Sequence, residues 1–473
     1  MRTLRTARRF AVPRWMIERA TRCRLAGDWR GACDAAGVDA GLDLARIGRD
    51  HGAAVAAAVE DDLLHLAPDL LRWHLFQAPA PGMGASPVTL AVHGRHALRV
   101  RWRHPGTPSQ RLELEFAGLD GDQRFAFDGA RERWDSRRTG ELLDRCGGYD
   151  GHLPFLTASG DRLPEAAWGG PERIIALQDA GDWAAAWTLA GFDVGPLLAT
   201  TGKGYWVGRA LRDRRHDLTG LRTAVAAVFA GGRPRAGVPL GLSPDTSLTV
   251  DADLRVWYGT SSPLPPMVPV VRAERAVDFD LVRHGILPLE HLHPLVGDAL
   301  FPGLAGLFDG PPETVPDMAP VRVRCQGEWH ILGGHEHTPD ETRRELALRA
   351  LGGAPLRGCF AARAGWRDPD AWTPKALRLR RRDIVLHAVN GDGPAIAAWL
   401  DAGLDPHLRD HHGRTLLHLL AWLPDPAPVV ARLRHAGLDP HARDKTGLTP
   451  LRHALDLGGT PAAIRALEEL GCT

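Results

Sequence analysis

The spacing of apolar residues divides the first part of the chain into helices followed by strands. Three segments have the 3.6-residue periodicity of an amphipathic helix: residues 15–26, 28–36 and 51–76. Pro68 predicts a helix start or a kink within the third segment. Three later segments alternate apolar and polar residues, as half-buried strands do: residues 88–92, 97–103 and 111–116. Helices followed by strands favour an α+β fold over a doubly wound sheet.

The same order of elements recurs further along the chain. The sequence AGDW occupies residues 26–29 and again residues 180–183, and an alanine-rich segment follows each copy. After the second copy, the pattern predicts helices over about residues 172–231 and strands over residues 248–258 and 268–279. We therefore predict that the body of the protein contains a helix-then-strand module and its internal duplicate.

Each AGDW sequence has two interpretations. Asp28 and Asp182 can be the N-terminal caps of the helices that follow, with Trp29 and Trp183 packed against neighbouring helices. A recurring functional motif is the alternative. We predict the structural role, because an aspartate before a helix is among the preferred caps.

A shorter repeat occupies the C-terminal part of the chain. The sequence AGLDPHLRD at residues 402–410 returns about 34 residues later as AGLDPHARD at residues 436–444. A related sequence follows each copy, GRTLLH at residues 413–418 and GLTPLR at residues 447–452. This segment resembles the ankyrin-repeat family, whose unit of about 33 residues combines a T-P-L-H motif, two short antiparallel helices and a projecting turn, the finger.

The resemblance assigns roles to individual residues. Thr415 and Thr449 would cap the first helices of their units. His418 matches the family's internal histidine, which bonds the turn, whereas Arg452 stands at the corresponding position of the last unit. A first unit without a finger of its own precedes these over about residues 386–400. The resemblance therefore implies a short all-α ankyrin solenoid after the α+β body.

Ankyrin arrays bind proteins on the concave surface formed by their fingers and first helices. The resemblance places His411, His412, Lys445 and Thr446 on that surface, where they would contact a protein partner. The alternative is that so short an array only packs against the rest of the chain. The whole sequence also resembles ankyrin-containing proteins of actinobacteria, and that resemblance implies no particular activity.

Composition and charge are those of a globular protein without an obvious charged ligand. The formal net charge is +1, with 44% hydrophobic and 24% charged residues. Arginines are numerous but balanced by acids, so we expect no nucleic-acid partner. No apolar run approaches the roughly 18–20 residues of a membrane span. The six cysteines include no C-x-x-C pair, which is typical of reduced thiols, and we predict a cytoplasmic protein without a membrane partner.

One cluster of histidines suggests a metal site. Cys325, His330, His335 and His337 lie within about a dozen residues of one another. Zinc sites usually combine closer pairs, and neither H-E-x-x-H nor C-x-x-C occurs. A strand over residues 321–330, a turn and a helix start account for the same segment, with Thr338 and Glu341 as a capping box. From the sequence we therefore expect no metal ligands, no cofactor and no catalytic residues.

The sequence favours an intracellular adaptor or scaffold that binds a protein through the ankyrin concave face. One alternative is an enzyme whose site in the duplicated body carries no known motif, with the repeats used for recruitment or regulation. A second alternative is an effector or immunity protein of bacterial conflict. The predicted domains are a first α+β module, its duplicate, a small linking module and the ankyrin repeats: residues 1–155, 165–312, 318–375 and 376–473.

Overall fold

The structure is a computed structural model that describes residues 2–75, 87–104, 110–119, 130–199, 204–213, 215–240, 247–258, 266–268, 270–325, 327–332, 337–352 and 356–472. Helices and small, mostly antiparallel sheets are both present, which confirms the α+β class. Over these residues, no helix combines the length and the apolar character that crossing a membrane requires.

The chain forms two compact units. Unit 1 comprises residues 1–102 and 112–312, and unit 2 comprises residues 103–111 and 313–473. Unit 1 contains two clusters of buried apolar side chains, and unit 2 contains one.

Unit 1 begins with the predicted helices and strands, and it contains four further elements, at residues 2–10, 38–39, 44–51 and 142–145, that the sequence pattern does not predict. The elements are α1 (Arg2–Phe10), α2 (Arg14–Leu25), α3 (Trp29–Ala35), β1 (Val38–Asp39), α4 (Leu44–His51), α5 (Ala53–His65), α6 (Pro68–Leu75), β2 (Val88–His93), β3 (His96–Trp102), β4 (Leu112–Gly118) and α7 (Leu142–Arg145). Asp28 caps α3 by accepting from Gly31 N, and Pro68 begins α6, as predicted.

These strands form one four-stranded sheet in the order β1-β4-β3-β2. Strands β2, β3 and β4 are antiparallel neighbours, whereas β1 pairs with β4 in parallel, Val38 opposite Leu112. The sheet buries Leu112 and Leu114, while Glu113 and Glu115 pair with arginines of β3 on the other face. Alternation along β4 is therefore the direct cause of its one buried face.

The second half of unit 1 repeats the order of helices before strands. Its elements are α8 (Gly170–Asp179), α9 (Trp183–Leu189), α10 (Gly195–Leu198), α11 (Gly204–Asp213), α12 (Leu218–Ala230), β5 (Arg235–Pro239), β6 (Ser247–Asp251), β7 (Val256–Tyr258), α13 (Val270–Ala273), α14 (Val277–Arg283) and α15 (Pro294–Leu300). Strands β5, β6 and β7 form an antiparallel sheet in that order. Asp182 caps α9 by accepting from Ala185 N.

Two predictions for this half are wrong. The single strand predicted over residues 248–258 is a hairpin, which turns at Leu254 with a φ of 59°. The strand predicted over residues 268–279 is replaced by α13 and α14. In α14 the acidic side chains of Asp278 and Asp280 are as buried as the apolar side chain of Phe279 between them. The alternation of polar and apolar residues in this segment therefore does not separate a solvent-exposed face from a buried face.

Unit 2 contains a small hairpin followed by helices. Its elements are β8 (Arg322–Cys325), β9 (Glu328–Ile331), α16 (Pro339–Ala350), α17 (Gly358–Arg367), α18 (Lys375–Val389), α19 (Gly393–Asp401), α20 (Leu416–Leu419), α21 (Ala427–Leu433), α22 (Pro450–Asp456) and α23 (Pro461–Glu469). Strands β8 and β9 are antiparallel, with Cys325 opposite Glu328.

A single apolar core runs through unit 2. It includes Val323 of β8, Phe360 and Trp366 of α17, Ile384 of α18 and Leu467 of α23. The sequence predicts a domain boundary at residue 376. This residue belongs to α18, and the core includes side chains on both sides of it in the chain. The hairpin and the C-terminal helices are consequently stabilised by the same buried contacts.

Candidate functional site

The C-terminal helices of unit 2 are arranged as three pairs separated by two loops. We call residues 402–414 the first finger and residues 436–448 the second finger. Helices α18 and α19 precede the first finger, α20 and α21 lie between the fingers, and α22 and α23 follow the second. Gly403 and Gly437 begin the two loops with φ values of 92° and 65°, which only glycine adopts without strain.

Both fingers are closed by the same hydrogen bonds. In the first, Asp410 Oδ1 accepts from the backbone nitrogens of His412 and Arg414, each at 2.9 Å. In the second, Asp444 Oδ1 accepts from the backbone nitrogens of Thr446 at 2.8 Å and Leu448 at 3.0 Å. An aspartate that accepts two backbone N–H groups in this way holds the loop in one conformation.

An arginine side chain donates a further hydrogen bond within each finger. Arg409 Nη1 donates to Gly413 O over 2.8 Å, and Arg443 Nη1 donates to Gly447 O over 2.7 Å. Arg409 Nη1 also donates to Arg443 O over 2.9 Å, which joins the two fingers. The fingers are therefore rigid and held side by side.

His418 connects α20 to the second finger. Its Nδ1 lies 2.9 Å from Thr415 Oγ1, and its Nε2 lies 3.0 Å from Leu448 O. Burial lowers the pKa of His418, so the imidazole is neutral at physiological pH and donates from one nitrogen only. Arg452, at the corresponding position of α22, is exposed and pairs instead with Asp456 at 2.8 Å. The predicted hydrogen bond from His418 to the turn is therefore present, whereas Arg452 pairs with a residue of its own helix.

The four residues predicted to contact a partner lie together at the finger tips, and all four are exposed. Lys445 N donates to His412 O over 2.8 Å, which makes the two tips neighbours. The imidazole rings of His411 and His412 have centroids 3.9 Å apart. Lys445 Nζ lies 2.5 Å from Asp370 Oδ1 of the turn before α18, and Thr446 Oγ1 donates to Asp444.

His453 of α22 is the most isolated titratable group of these helices. It is 1% exposed, and neither ring nitrogen has a hydrogen-bond partner among the described residues. Its ring packs edge-on against Trp422 and against His418. Burial, and then the nearby His418 and Arg414, lower its pKa to about 4. His453 is therefore a core residue rather than a ligand of a partner.

A second group of side chains converges on the hairpin end of unit 2. Cys325 Sγ lies 3.5 Å from His337 Nε2, and His330 Nδ1 lies 3.1 Å from the same nitrogen. Cys359 Sγ lies 3.7 Å from His330 Nδ1. We call Cys325, His330, His337 and Cys359 the Cys/His cluster; their ligand atoms all lie within 4.8 Å of one another.

The sequence identified three members of this cluster and missed the fourth. Cys359 follows His337 by 22 positions and has no motif around it, so only the packing of α17 on β8 brings it to the others. His335, which the sequence grouped with them, lies outside the described residues. The capping box predicted for this segment is present, because Thr338 N donates to Glu341 and Glu341 N donates to Thr338 Oγ1.

Unit 1 has a buried polar group that we call the Arg8 network: Arg8, Trp73 and Asp278. Arg8 Nε lies 2.5 Å from Asp278 Oδ1, and Arg8 Nη2 lies 3.0 Å from Oδ2. Trp73 Nε1 donates to Asp278 Oδ1 over 3.2 Å, and Trp73 O accepts from Arg8 Nη1. Each of the three residues is at most 1% exposed. Such enclosed groups cannot meet a substrate, so the network stabilises the fold.

We compared the chain with protein-family models, with curated proteins and with solved structures. None of the three comparisons found a match.

Proposed function

We propose that this protein is an intracellular adaptor that binds a protein partner through the finger tips of an ankyrin-type repeat array. The observation that carries the proposal is the pairing of the fingers, in which Lys445 N donates to His412 O and four side chains stand exposed beside this bond. A rigid, exposed surface loses little conformational entropy when it binds, which favours a binding role for such a surface.

The local geometry supports the assignment to the ankyrin type. Helix pairs alternate with projecting loops at a spacing of about 34 residues. Thr415 and Thr449 precede the first helices of their pairs, and His418 bonds forward to Leu448 O. Each of these features was expected from the resemblance of the sequence to the family.

We also infer that the two halves of unit 1 are copies of one module. Both have a capping aspartate before a short helix and three antiparallel strands after a run of helices. In the first half β1 lies parallel to β4, and in the second half Asp193 forms a parallel bridge with Arg255 next to β7. In both sheets, a segment that precedes the antiparallel strands pairs in parallel at the third of those strands. This shared pairing supports duplication over coincidence.

The binding surface can be tested with the double substitution His411→Ala, His412→Ala in the full-length chain. The side chains are exposed and the His412 carbonyl remains, so the finger-to-finger bond survives. We expect capture of the partner from native lysate to fall at least about 10-fold, the effect of losing a central contact. Stability to urea should change by less than about 0.5 kcal/mol.

Arg432→Ala is the matched control, because Arg432 is a cation on α21 that pairs with Asp401 away from the finger tips. Its capture should equal that of the unmodified chain. Removal of the repeats by truncation would be less informative, since residues 321–472 share one core. Equal capture by the double variant and the unmodified chain would refute the finger-tip surface.

A further inference from the structure

The Cys/His cluster of unit 2 combines ligand types that together suit one metal. Its members come from four places: the end of β8, the middle of β9, the segment before α16 and the start of α17. Two thiols and two imidazoles form the donor set of structural zinc sites, in which each sulfur binds as a thiolate. Four protein ligands leave no position for a substrate, so such a site is structural rather than catalytic.

The distances fit a tetrahedral zinc ion. Bonds of about 2.3 Å to sulfur and about 2.05 Å to nitrogen separate two nitrogens by roughly 3.3 Å and a sulfur from a nitrogen by roughly 3.5 Å. The observed separations are 3.1 Å between His330 Nδ1 and His337 Nε2, and 3.5 and 3.7 Å for the two sulfur–nitrogen pairs. These three separations match the tetrahedral values, and the four ligand atoms all lie within 4.8 Å of one another.

The other nitrogen of each imidazole faces a carboxylate. His330 Nε2 lies 4.0 Å from Glu328 Oε2, and His337 Nδ1 lies 3.8 Å from Glu341 Oε2. Metal-bound histidines commonly direct their second nitrogen toward such a carboxylate, which fixes the tautomer and the ring orientation. The ligand atoms would be His330 Nδ1 and His337 Nε2, the nitrogens that lie against the other members of the cluster.

Gly358 permits the two cysteines to approach each other. Its φ is 55°, and a β-carbon there would lie 2.6 Å from Cys325 Sγ and 2.8 Å from Cys325 Cα. Cys325 and Cys359 are 3% and 2% exposed, and the side chains of His330 and His337 are 15% and 7% exposed. The backbone is therefore shaped to bring four donors together in a site shielded from water.

We propose that Cys325, His330, His337 and Cys359 bind one zinc ion, which fixes the β8–β9 hairpin to the starts of α16 and α17. A two-stranded hairpin of four-residue strands has little stability alone, and metal binding would add the missing cross-link. The site is independent of the finger tips, so this inference does not rest on the proposed function.

Metal analysis of the full-length protein tests the site. Protein produced with zinc in the medium and passed through a desalting column should retain one zinc per chain, measured by inductively coupled plasma mass spectrometry. Replacement of zinc by cobalt(II) should give the visible absorption bands of tetrahedral cobalt and a thiolate-to-cobalt charge-transfer band. Cys359→Ser should lose the bound zinc and both signals.

Cys472→Ser is the matched control, because Cys472 is also buried in unit 2 but lies outside the cluster. It should keep one zinc per chain. If Cys359→Ser does not fold, the unmodified chain can be stripped with a chelator and titrated with zinc, and uptake should stop at one equivalent. Substoichiometric zinc without uptake, unchanged zinc in Cys359→Ser, or a Cys325–Cys359 disulfide in the purified protein would overturn the proposal.

Discussion

The Arg8 network of unit 1 and the Cys/His cluster of unit 2 bury polar side chains in opposite ways. In the network, the Arg8 guanidinium meets the Asp278 carboxylate, and the Trp73 indole donates to the same carboxylate. In the cluster, two sulfurs and two nitrogens converge, and all four are atoms that can present a lone pair.

The contrast distinguishes a closed ion pair from a site for a cation. Opposite charges compensate each other inside a protein, so the network needs nothing further. The cluster contains no cation of its own, so the negative charge of two thiolates would be compensated by a bound metal ion. The identity of the atoms that meet, rather than their burial, indicates which buried cluster binds a ligand.

The largest effect is expected from breaking the network. Asp278→Asn removes the charge that compensates Arg8, and both side chains are at most 1% exposed. The free energy of unfolding should fall by about 3–5 kcal/mol, as it does when one partner of a buried pair is lost. Urea denaturation followed by circular dichroism measures this loss, and the zinc content should stay unchanged.

The exposed pair between Arg452 and Asp456 is the control for that experiment. Asp456→Asn should alter stability by less than about 0.5 kcal/mol, because solvent already screens the pair. A loss below about 1 kcal/mol for Asp278→Asn would show that the network is not the stabilising ion pair that its geometry indicates.

An intermediate effect is expected for His453, a buried group whose ring nitrogens have no hydrogen-bond partner among the described residues. Its pKa is about 4 in the folded protein and about 6.5 in the unfolded chain. Below pH 6.5 the unfolded chain therefore binds the proton more readily than the folded protein does. The free energy of unfolding consequently decreases as the pH is lowered. Between about pH 7 and about pH 5, the loss from this group should be about 2 kcal/mol.

The variant His453→Leu isolates that contribution. Its charged and titratable neighbours, His418, Arg414, Asp410 and Asp444, are present in both proteins. Acid also releases metal from the Cys/His cluster, and it does so equally in both. Measured with urea, the free energy of unfolding of the unmodified chain relative to that of the variant should thus rise by about 2 kcal/mol from about pH 5 to about pH 7. A constant difference would mean that the pKa of His453 is the same in the folded protein and in the unfolded chain.

The smallest effect concerns the carboxylate beside His330. Glu328→Gln removes the charge 4.0 Å from His330 Nε2 while the four ligands remain. We expect the zinc affinity to fall by less than about 5-fold, because a carboxylate that is 85% exposed at this distance makes only a screened interaction. Competition with a coloured chelator measures the affinity.

Glu345→Gln is the control. Glu345 and Glu328 line one cavity together with members of the Cys/His cluster, so this variant removes an equal charge from that cavity. An equal loss of zinc affinity in both variants would assign the effect to net charge.

Local patterns predicted many of the secondary-structure elements well. The caps Asp28 and Asp182, the capping box of Thr338 and Glu341, and strands β2 to β4 all follow from residue types and spacing. These features depend on neighbours within about four residues, which is the range over which sequence patterns carry information. The placement of the finger residues side by side was also expected from the repeat.

Other features depend on residues far apart in the chain. The strand predicted over residues 268–279 is wrong because α14 buries Asp278, and the arginine that makes this possible is Arg8, 270 positions away. Cys359 was missed because nothing near it in the sequence indicates a ligand. The sequence pattern makes a capping box and a metal site alternative explanations of this segment, whereas in the structure the residues from His337 to Glu341 contribute to both the capping box and the Cys/His cluster.

The sequence by itself determined the repeat period, the helix caps, the alternation of the strands and the α+β class, since each depends on short-range spacing. The tertiary structure alone decided which polar residues are buried and which meet. Packing of α17 against β8 brings Cys359 to Cys325, and packing of α14 on the N-terminal helices brings Asp278 to Arg8. Charge compensation and metal coordination both depend on distances in space, and those distances are set by the packed core.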